Sequence, residues 1–413
     1  MLKLIGFKIY GHALFEDGTQ FTIQTASQVT ERTKDRIIKF NQILTLNRVI
    51  GIVGINATGK STLMNIFEGL SDFYLKSLSI DQTALNEAFR SNERRIRIIA
   101  FLAATTGERY RVETSFDKNA VESNDMGRTF NWKISEEKIY SDNKLMPKSK
   151  YFDFENQEPI QQRTKLSKNE LRLLSNKDSI FRIISQASQN LEVLSTVSMT
   201  DSNIVRSFAD ETPTALLEYL DNSIDYLKYQ LDSEGKTLSY HLKFKRDRHE
   251  IVVSQLNDIS KYISSGTIKG ITLFYEFLIA LRHGSTLLVD EIELHVNKQI
   301  VRDFIGFFAN PKVNVNQATL IYSSHYVELT DDLKRQDEEY VLLRNGVTKL
   351  RRLNDTGVRT ELKNSDIFQS NYFKGTAPNY ERYINLKKTI VAHNQRRFDV
   401  DTDSVSTGSI NAK

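Results

Sequence analysis

Gly54-Ile55-Asn56-Ala57-Thr58-Gly59-Lys60-Ser61 is the stretch on which the reading of this chain turns. It follows Arg48-Val49-Ile50-Gly51-Ile52-Val53, a β-branched apolar run of the kind that forms a buried strand. Beyond it, Leu63, Ile66, Phe67 and Leu70 fall at i, i+3, i+4 and i+7, one face of a helix. Strand, glycine-bearing loop and helix in this order match the G-x-x-x-x-G-K-[ST] phosphate loop without a departure. Gly54 and Gly59 let the backbone curl so that N–H groups point at phosphate oxygens, and the helix N-terminus adds a dipole that favours anions. The motif assigns Gly54, Asn56, Ala57, Thr58, Gly59, Lys60, Ser61 and Thr62 to nucleotide binding. Lys60 reaches the β- and γ-phosphates, and the Ser61 hydroxyl ligates Mg²⁺.

Further along the chain, Thr286-Leu287-Leu288-Val289-Asp290-Glu291 is an apolar strand ending in two carboxylates. Asp290 is placed to hold the Mg²⁺ through a water, and Glu291 to accept a proton from an attacking water. Glu293 is the rival base; Glu291 is favoured because it adjoins the metal-binding Asp. Ala318 to His325 is another apolar strand, and its terminal His325 should share a crevice with the other strand ends of a parallel sheet. Ile263-Ser264-Ser265-Gly266-Thr267 precedes the helix that leads into the acidic strand. Free N–H groups and a hydroxyl at a helix start make Ser264, Ser265 and Gly266 a second anion cradle.

The remaining elements place these motifs. Leu2 to Tyr10 and Thr19 to Gln24 read as an antiparallel hairpin about Glu16-Asp17-Gly18, and Ile96 to Leu102 and Tyr110 to Phe116 as further strands. Helix and strand alternate through the last third, which predicts a mostly parallel sheet covered by helices. Between them, residues 118–235 read as a mostly helical insertion, a lid or partner-binding segment. Its clearest stripe is Leu216, Leu217, Leu220, Ile224, Leu227 and Leu231. The expected layout is therefore an N-terminal lobe over 1–117, the insertion, a C-terminal lobe over 236–398 and a disordered tail over 399–413.

Composition bounds the class. The 413 residues are 39% hydrophobic and 10% aromatic, enough for a sizeable core and against wholesale disorder. The absence of cysteine excludes a disulfide scaffold, a zinc finger, an iron–sulfur centre and a cysteine nucleophile. The most apolar window, Leu273 to Leu281, is far short of the roughly 20 residues of a membrane span, and the N-terminus carries no signal-peptide pattern. The expectation is a cytoplasmic protein without membrane contact. Its net charge of +4 neither demands nor excludes nucleic acid.

Phosphate loop, insertion, Ser264-Ser265-Gly266, Asp290-Glu291 and His325 in this order resemble the ABC-type ATPase heads, including those of SMC-like proteins. The resemblance implies an α/β head: a mostly parallel sheet flanked by helices, with an antiparallel N-terminal β subdomain. It also implies ATP and Mg²⁺ as cofactors and a head-to-head homodimer in which the serine-glycine signature meets the γ-phosphate held by the opposite subunit. Ile263 to Thr267 departs from the family's Leu-Ser-Gly-Gly-Gln at three of five positions and keeps Ser264 and Gly266. More narrowly, Asp290-Glu291-Ile292-Glu293-Leu294-His295-Val296-Asn297 and Tyr322-Ser323-Ser324-His325 are similar to the OLD-like, stand-alone AAA-family branch found in bacterial anti-phage systems such as PARIS, Septu and abortive-infection L. With no room for a C-terminal Toprim nuclease, this implies a separate effector, a nuclease or toxin, governed by ATP hydrolysis.

No glutamine is assigned to the family's Q-loop, and Tyr10 and Phe15 are the substitutes for the aromatic that stacks on adenine. Arg94-Arg95-Ile96-Arg97, Lys243 to Arg248, Arg344 with Lys349 to Arg352, and Arg396-Arg397 are candidate contacts to a DNA backbone. They support the alternative of a DNA-repair or recombination ATPase. A transporter nucleotide-binding subunit is the third class.

Overall fold

The computed structural model describes residues 1–89, 93–119, 131–155, 157–167, 174–199, 211–233, 237–294, 296–357, 363–370, 372–373 and 380–406. Among them the chain builds two large sheets. The first is antiparallel: β2 (Thr19–Thr22), β1 (Leu2–Tyr10), β6 (Arg95–Ala104), β7 (Arg109–Asn119), β8 (Asn131–Asp142) and β9 (Gln161–Gln162), in that spatial order. The second runs β10 (Val193–Ser195), β14 (Thr286–Val289), β15 (Thr319–Ser324), β5 (Val49–Val53), β16 (Glu339–Asn345) and β17 (Val347–Arg352). Its pairs are parallel except for the β16–β17 hairpin. β11 (Ile224–Leu231), β12 (Thr237–Phe244) and β13 (Ile251–Val253) form a smaller antiparallel sheet, and β3 (Ile37–Lys39) pairs with β4 (Thr45–Asn47).

The parallel strands read as unbroken apolar runs because both of their faces are covered. Every residue of β5, β14 and β15 is buried. Ile50, Ile52, Leu288 and Ile321 face one core with α1 (Lys60–Tyr74) and the antiparallel sheet. Val49, Leu287, Val289, Leu320 and Tyr322 face a second core with α3 (Ser265–His283) and α4 (Lys298–Ala309). This is the mixed α/β fold, with its parallel-rich sheet and antiparallel subdomain, that the sequence predicts. Leu63, Ile66, Phe67 and Leu70 are all fully buried, as the helical spacing requires.

A lysine lies inside the first core. Lys3 on β1 is 2% exposed and donates from Nζ to Thr319 Oγ1 at 3.1 Å, so β1 is tied to the start of β15. Burial pushes its ammonium down to about 7. Below that pH both folded and unfolded chains carry the proton, and the burial penalty is complete. Between pH 7 and the ordinary lysine value only the unfolded chain holds it, so stability rises with pH, by at most about 1.4 kcal/mol per pH unit. Lys3→Met is therefore expected to raise the urea midpoint at pH 6.5 and to remove this rise between pH 7 and 10. Parallel pH curves for the two proteins would refute the assignment.

Residues 118–235 are not mostly helical among those described. They supply β8 and β9 to the antiparallel sheet, β10 to the parallel one, and β11, so the segment is built into the same layers as its flanks. The leucine stripe divides: Leu216, Leu217 and Leu220 lie on the short α2 (Thr214–Leu220), whereas Ile224, Leu227 and Leu231 lie on β11. A turn intervenes, with Ser223 N–H donating to Asp221 Oδ1 at 3.0 Å. The register of β11 shifts between Ile224 and Tyr226 and again between Gln230 and Leu231. A bulge adds one residue, so inward positions three apart imitate helical spacing. The tail also differs: α5 (Tyr380–Ser406) continues through 399–406, and residues 407–413 lie outside the described set.

Candidate functional site

The C-terminal ends of β5, β15 and β14 lie side by side, with Ser324 opposite Val53 and Tyr322 opposite Val289. The loops leaving these three strands therefore enter one crevice. A cleft of about 650 Å³ is lined by Asn56, Ala57, Thr58, Gly59, Lys60, Ser61, Thr62, Glu291 and His325. Gly54 starts the loop where a Cβ would come within 2.8 Å of Thr58 Oγ1 and 2.9 Å of Leu342 O, so a side chain there would push the loop off the sheet. Thr58 Oγ1 donates to Ile55 O at 2.8 Å and closes the curl.

Lys60, the first residue of α1, donates from Nζ to Gly54 O at 2.9 Å. Burial lowers its pKa, while the charges of Asp290, Glu291 and Glu293 oppose that fall. Its neighbour Ser61 donates from its hydroxyl to Asp290 Oδ2. Asp290 is buried, and its other oxygen accepts from Ser323 Oγ. Ser323 in turn accepts the Glu291 N–H at 2.8 Å. Glu291 has φ +47°, a strained value for a residue with a Cβ. That bend turns the chain sharply after β14, and the Glu291 side chain emerges into the cleft.

Glu291 Oε1 lies 3.2 Å from His325 Nε2, and the His325 ring nitrogens lie 3.3 and 3.5 Å from Lys60 Nζ. Nε2 is the nearer of the two to Lys60, at 3.3 Å; assigning the proton to Nε2 lets the ring donate to Glu291. Glu293 is buried and accepts the His325 backbone N–H at 2.6 Å through Oε1. The two rival carboxylates thus take different places: Glu291 faces the cleft, and Glu293 holds the main chain of the histidine.

Of the sequence-derived residues, Asn56 to Thr62, Asp290, Glu291 and His325 converge. Ser264, Ser265 and Gly266 do not line this cleft. Ser264 caps α3, its Oγ accepting Thr267 N–H at 3.0 Å, and Ser264 and Ser265 are exposed. His295 lies outside the described residues. Phe15 is 3% exposed and packs toward Gly59, so it offers no face to a base, and Tyr10 lies beneath the Arg97 guanidinium. Much of the basic surface is engaged within the chain. Arg97 pairs with Glu113, Lys349 with Glu16, Lys245 with Glu218, and Arg352 donates to the Asp337 and Gln24 carbonyls.

Sequence reading quoted Ser323 only as part of Tyr322-Ser323-Ser324-His325 and gave it no role; its hydroxyl joins Asp290 to the Glu291 backbone. Ser323→Ala should cost about 1–3 kcal/mol, because it leaves a buried carboxylate oxygen and an N–H without this partner. A urea midpoint equal to that of the wild type would refute the bridging role.

A phosphate loop between a parallel strand and a helix, with an acidic strand end beside it, defines the P-loop nucleotide-binding class. The sequence pattern of the family described as "AAA domain, putative AbiEii toxin, Type IV TA system" matches residues 49–331, more than half of the chain, and the chain belongs to that family. It therefore has a nucleotide-binding ATPase fold. A solved structure of the SMC head bound to the C-winged helix domain of ScpA is similar at 13% identity and a TM-score of 0.38, covering 84% of this chain and 97% of that one. No curated protein sequence matches the chain. Among the described residues no helix is long and apolar enough to cross a membrane.

Proposed function

We propose that this chain binds ATP with Mg²⁺ in the Lys60 cleft and hydrolyses it to ADP and phosphate across a head-to-head homodimer. We further propose that the nucleotide state controls a separate effector, a nuclease or toxin, in bacterial anti-phage defence in the cytoplasm. The observation that carries the ATPase reading is the convergence of Lys60, Ser61, Asp290, Glu291 and His325 from the ends of three adjacent strands.

The residues fit the ion. The Ser61 hydroxyl and the Asp290 carboxylate are hard oxygen donors already in contact, suited to Mg²⁺ that keeps waters and phosphate oxygens as its other ligands. Bound there, the ion neutralises charge on the β- and γ-phosphates. The chain's own groups supply the rest. Lys60 exchanges the Gly54 carbonyl for phosphate oxygens, and loop N–H groups orient the triphosphate. Glu291 accepts the proton of the attacking water, and His325, donating from Nε2, fixes the direction of that carboxylate. Glu293 holds His325 in turn.

The exposed Ser264 and Ser265, standing with Gly266 apart from their own cleft at the tip of α3, support a role toward the γ-phosphate of a second copy. The defence role is supported by the likeness of Asp290 to Asn297 to the OLD-like branch and by the family's toxin–antitoxin description. Residues 118–235, with β11 and α2, remain the proposed partner-binding segment. Light-scattering mass and ATP turnover, measured together with and without Mg-ATP, test the proposal. A chain that neither turns over ATP nor changes mass would overturn it.

A further inference from the structure

The outer side of the phosphate loop is gripped by two segments from distant parts of the sequence. Arg344, near the tip of the β16–β17 hairpin, donates from Nη1 to Ala57 O at 2.6 Å. Thr348 on β17 donates from Oγ1 to Thr58 O at 2.9 Å, a buried bond. The hairpin is itself fastened to the turn after β1. Thr348 N–H donates to Leu14 O at 2.7 Å, Glu16 N–H to Thr348 O at 3.0 Å, and Lys349 pairs with Glu16 at 3.0 Å. That turn reaches the loop as well, since a Cβ on Gly59 would stand 2.4 Å from Leu14 Cδ2.

The carbonyls held are those of Ala57 and Thr58, in a stretch whose residues 57 and 59 are left-handed. Ala57 has φ +61° and Gly59 φ +96°, both left-handed, and Ala57 has a Cβ that disfavours this conformation. A trans peptide plane sets its C=O and the following N–H in opposite directions. Pinning the Ala57 and Thr58 carbonyls outward therefore turns the Thr58 and Gly59 N–H groups inward, toward the place of the phosphate oxygens. Nothing in the loop motif encodes this grip.

We infer that Arg344 is a positioning residue for the phosphate loop: its bond to the Ala57 carbonyl holds that residue in the left-handed conformation and so preorganises the N–H groups for a nucleoside triphosphate. The inference rests on the nucleotide reading of the cleft.

The test is calorimetric titration of Mg-ATP into the full chain, its Arg344→Ala and Arg344→Lys variants, Ala57→Gly, and Arg344→Ala in the Ala57→Gly background. Thermal melting of each variant monitors the fold. Arg344→Ala should weaken binding about tenfold, the scale of one charge-assisted hydrogen bond, and Arg344→Lys should recover part of that loss. Glycine at 57 adopts positive φ freely, so the same Arg344→Ala change should cost only about threefold in that background. Equal affinity of wild type and Arg344→Ala sinks this proposal alone. An undiminished tenfold loss in the glycine background also sinks it, because Arg344 would then act on the nucleotide rather than on the loop. A wild-type chain that takes up no Mg-ATP sinks the nucleotide reading and this proposal together.

Discussion

Glu291→Gln is expected to lower ATP turnover by about 10²- to 10⁴-fold, the usual contribution of a general base, while Mg-ATP affinity stays close to that of the wild type. The geometry separates the two quantities. Glu291 touches neither Lys60, Ser61 nor the loop backbone by a hydrogen bond; its carboxylate reaches into the cleft and meets His325. Glutamine has nearly the same shape and keeps an oxygen to accept from His325 Nε2, but that oxygen cannot take a proton from water. If the proposed sandwich forms, blocked hydrolysis should also trap it. The variant should then run at twice the monomer mass in saturating Mg-ATP, where the wild type turns over and reopens. Undiminished turnover would remove Glu291 from the reaction. A monomer under these conditions would dispose of the sandwich.

Lys60→Ala is the second large effect: loss of about 100-fold or more in Mg-ATP affinity, the upper range for hydrogen bonds from a charged donor. Two causes add. The ammonium that would meet the phosphates is gone, and Asp290, Glu291 and Glu293, whose charges act on Lys60 now, face the incoming polyphosphate without compensation. Lys60→Arg keeps the charge but replaces a compact point donor by a planar fork in a confined place, and only partial recovery is expected. Titration of a fluorescent ATP analogue measures both variants. Tight binding by Lys60→Ala would show that the nucleotide lies elsewhere.

Much of this site could be read along the chain because its parts are local. Eight consecutive residues dictate the curl of the phosphate loop, and runs such as Leu287 to Val289 report that both faces of a strand are covered. The failures were equally physical. β11 passed for a helix because the shift after Ile224 sets Ile224 and Leu227 three apart, and plain alternation sets Leu227 and Leu231 four apart. The ion pairs of the basic clusters with Glu16, Glu113 and Glu218 were not legible either, since strand pairing and loop packing bring those carboxylates alongside. Ser323 stood in the Tyr322 to His325 motif and Arg344 in a basic cluster, but neither showed its role, because each bonds to a loop that follows a different strand.

The amino-acid order by itself determined the chemistry available: a loop that must curl, a lysine at the head of a helix, and carboxylates and a histidine at strand ends. Short-range sterics and alternation encode these without reference to the rest of the chain. Which of them meet was decided by the strand order. With β15 lying between β5 and β14, His325 stands beside both Lys60 and Glu291, Glu293 is drawn beneath the histidine, and the hairpin beyond β5 closes on Ala57. Those contacts depend on hydrogen-bonded register between segments from 32 to 287 residues apart, which only the folded sheet brings together.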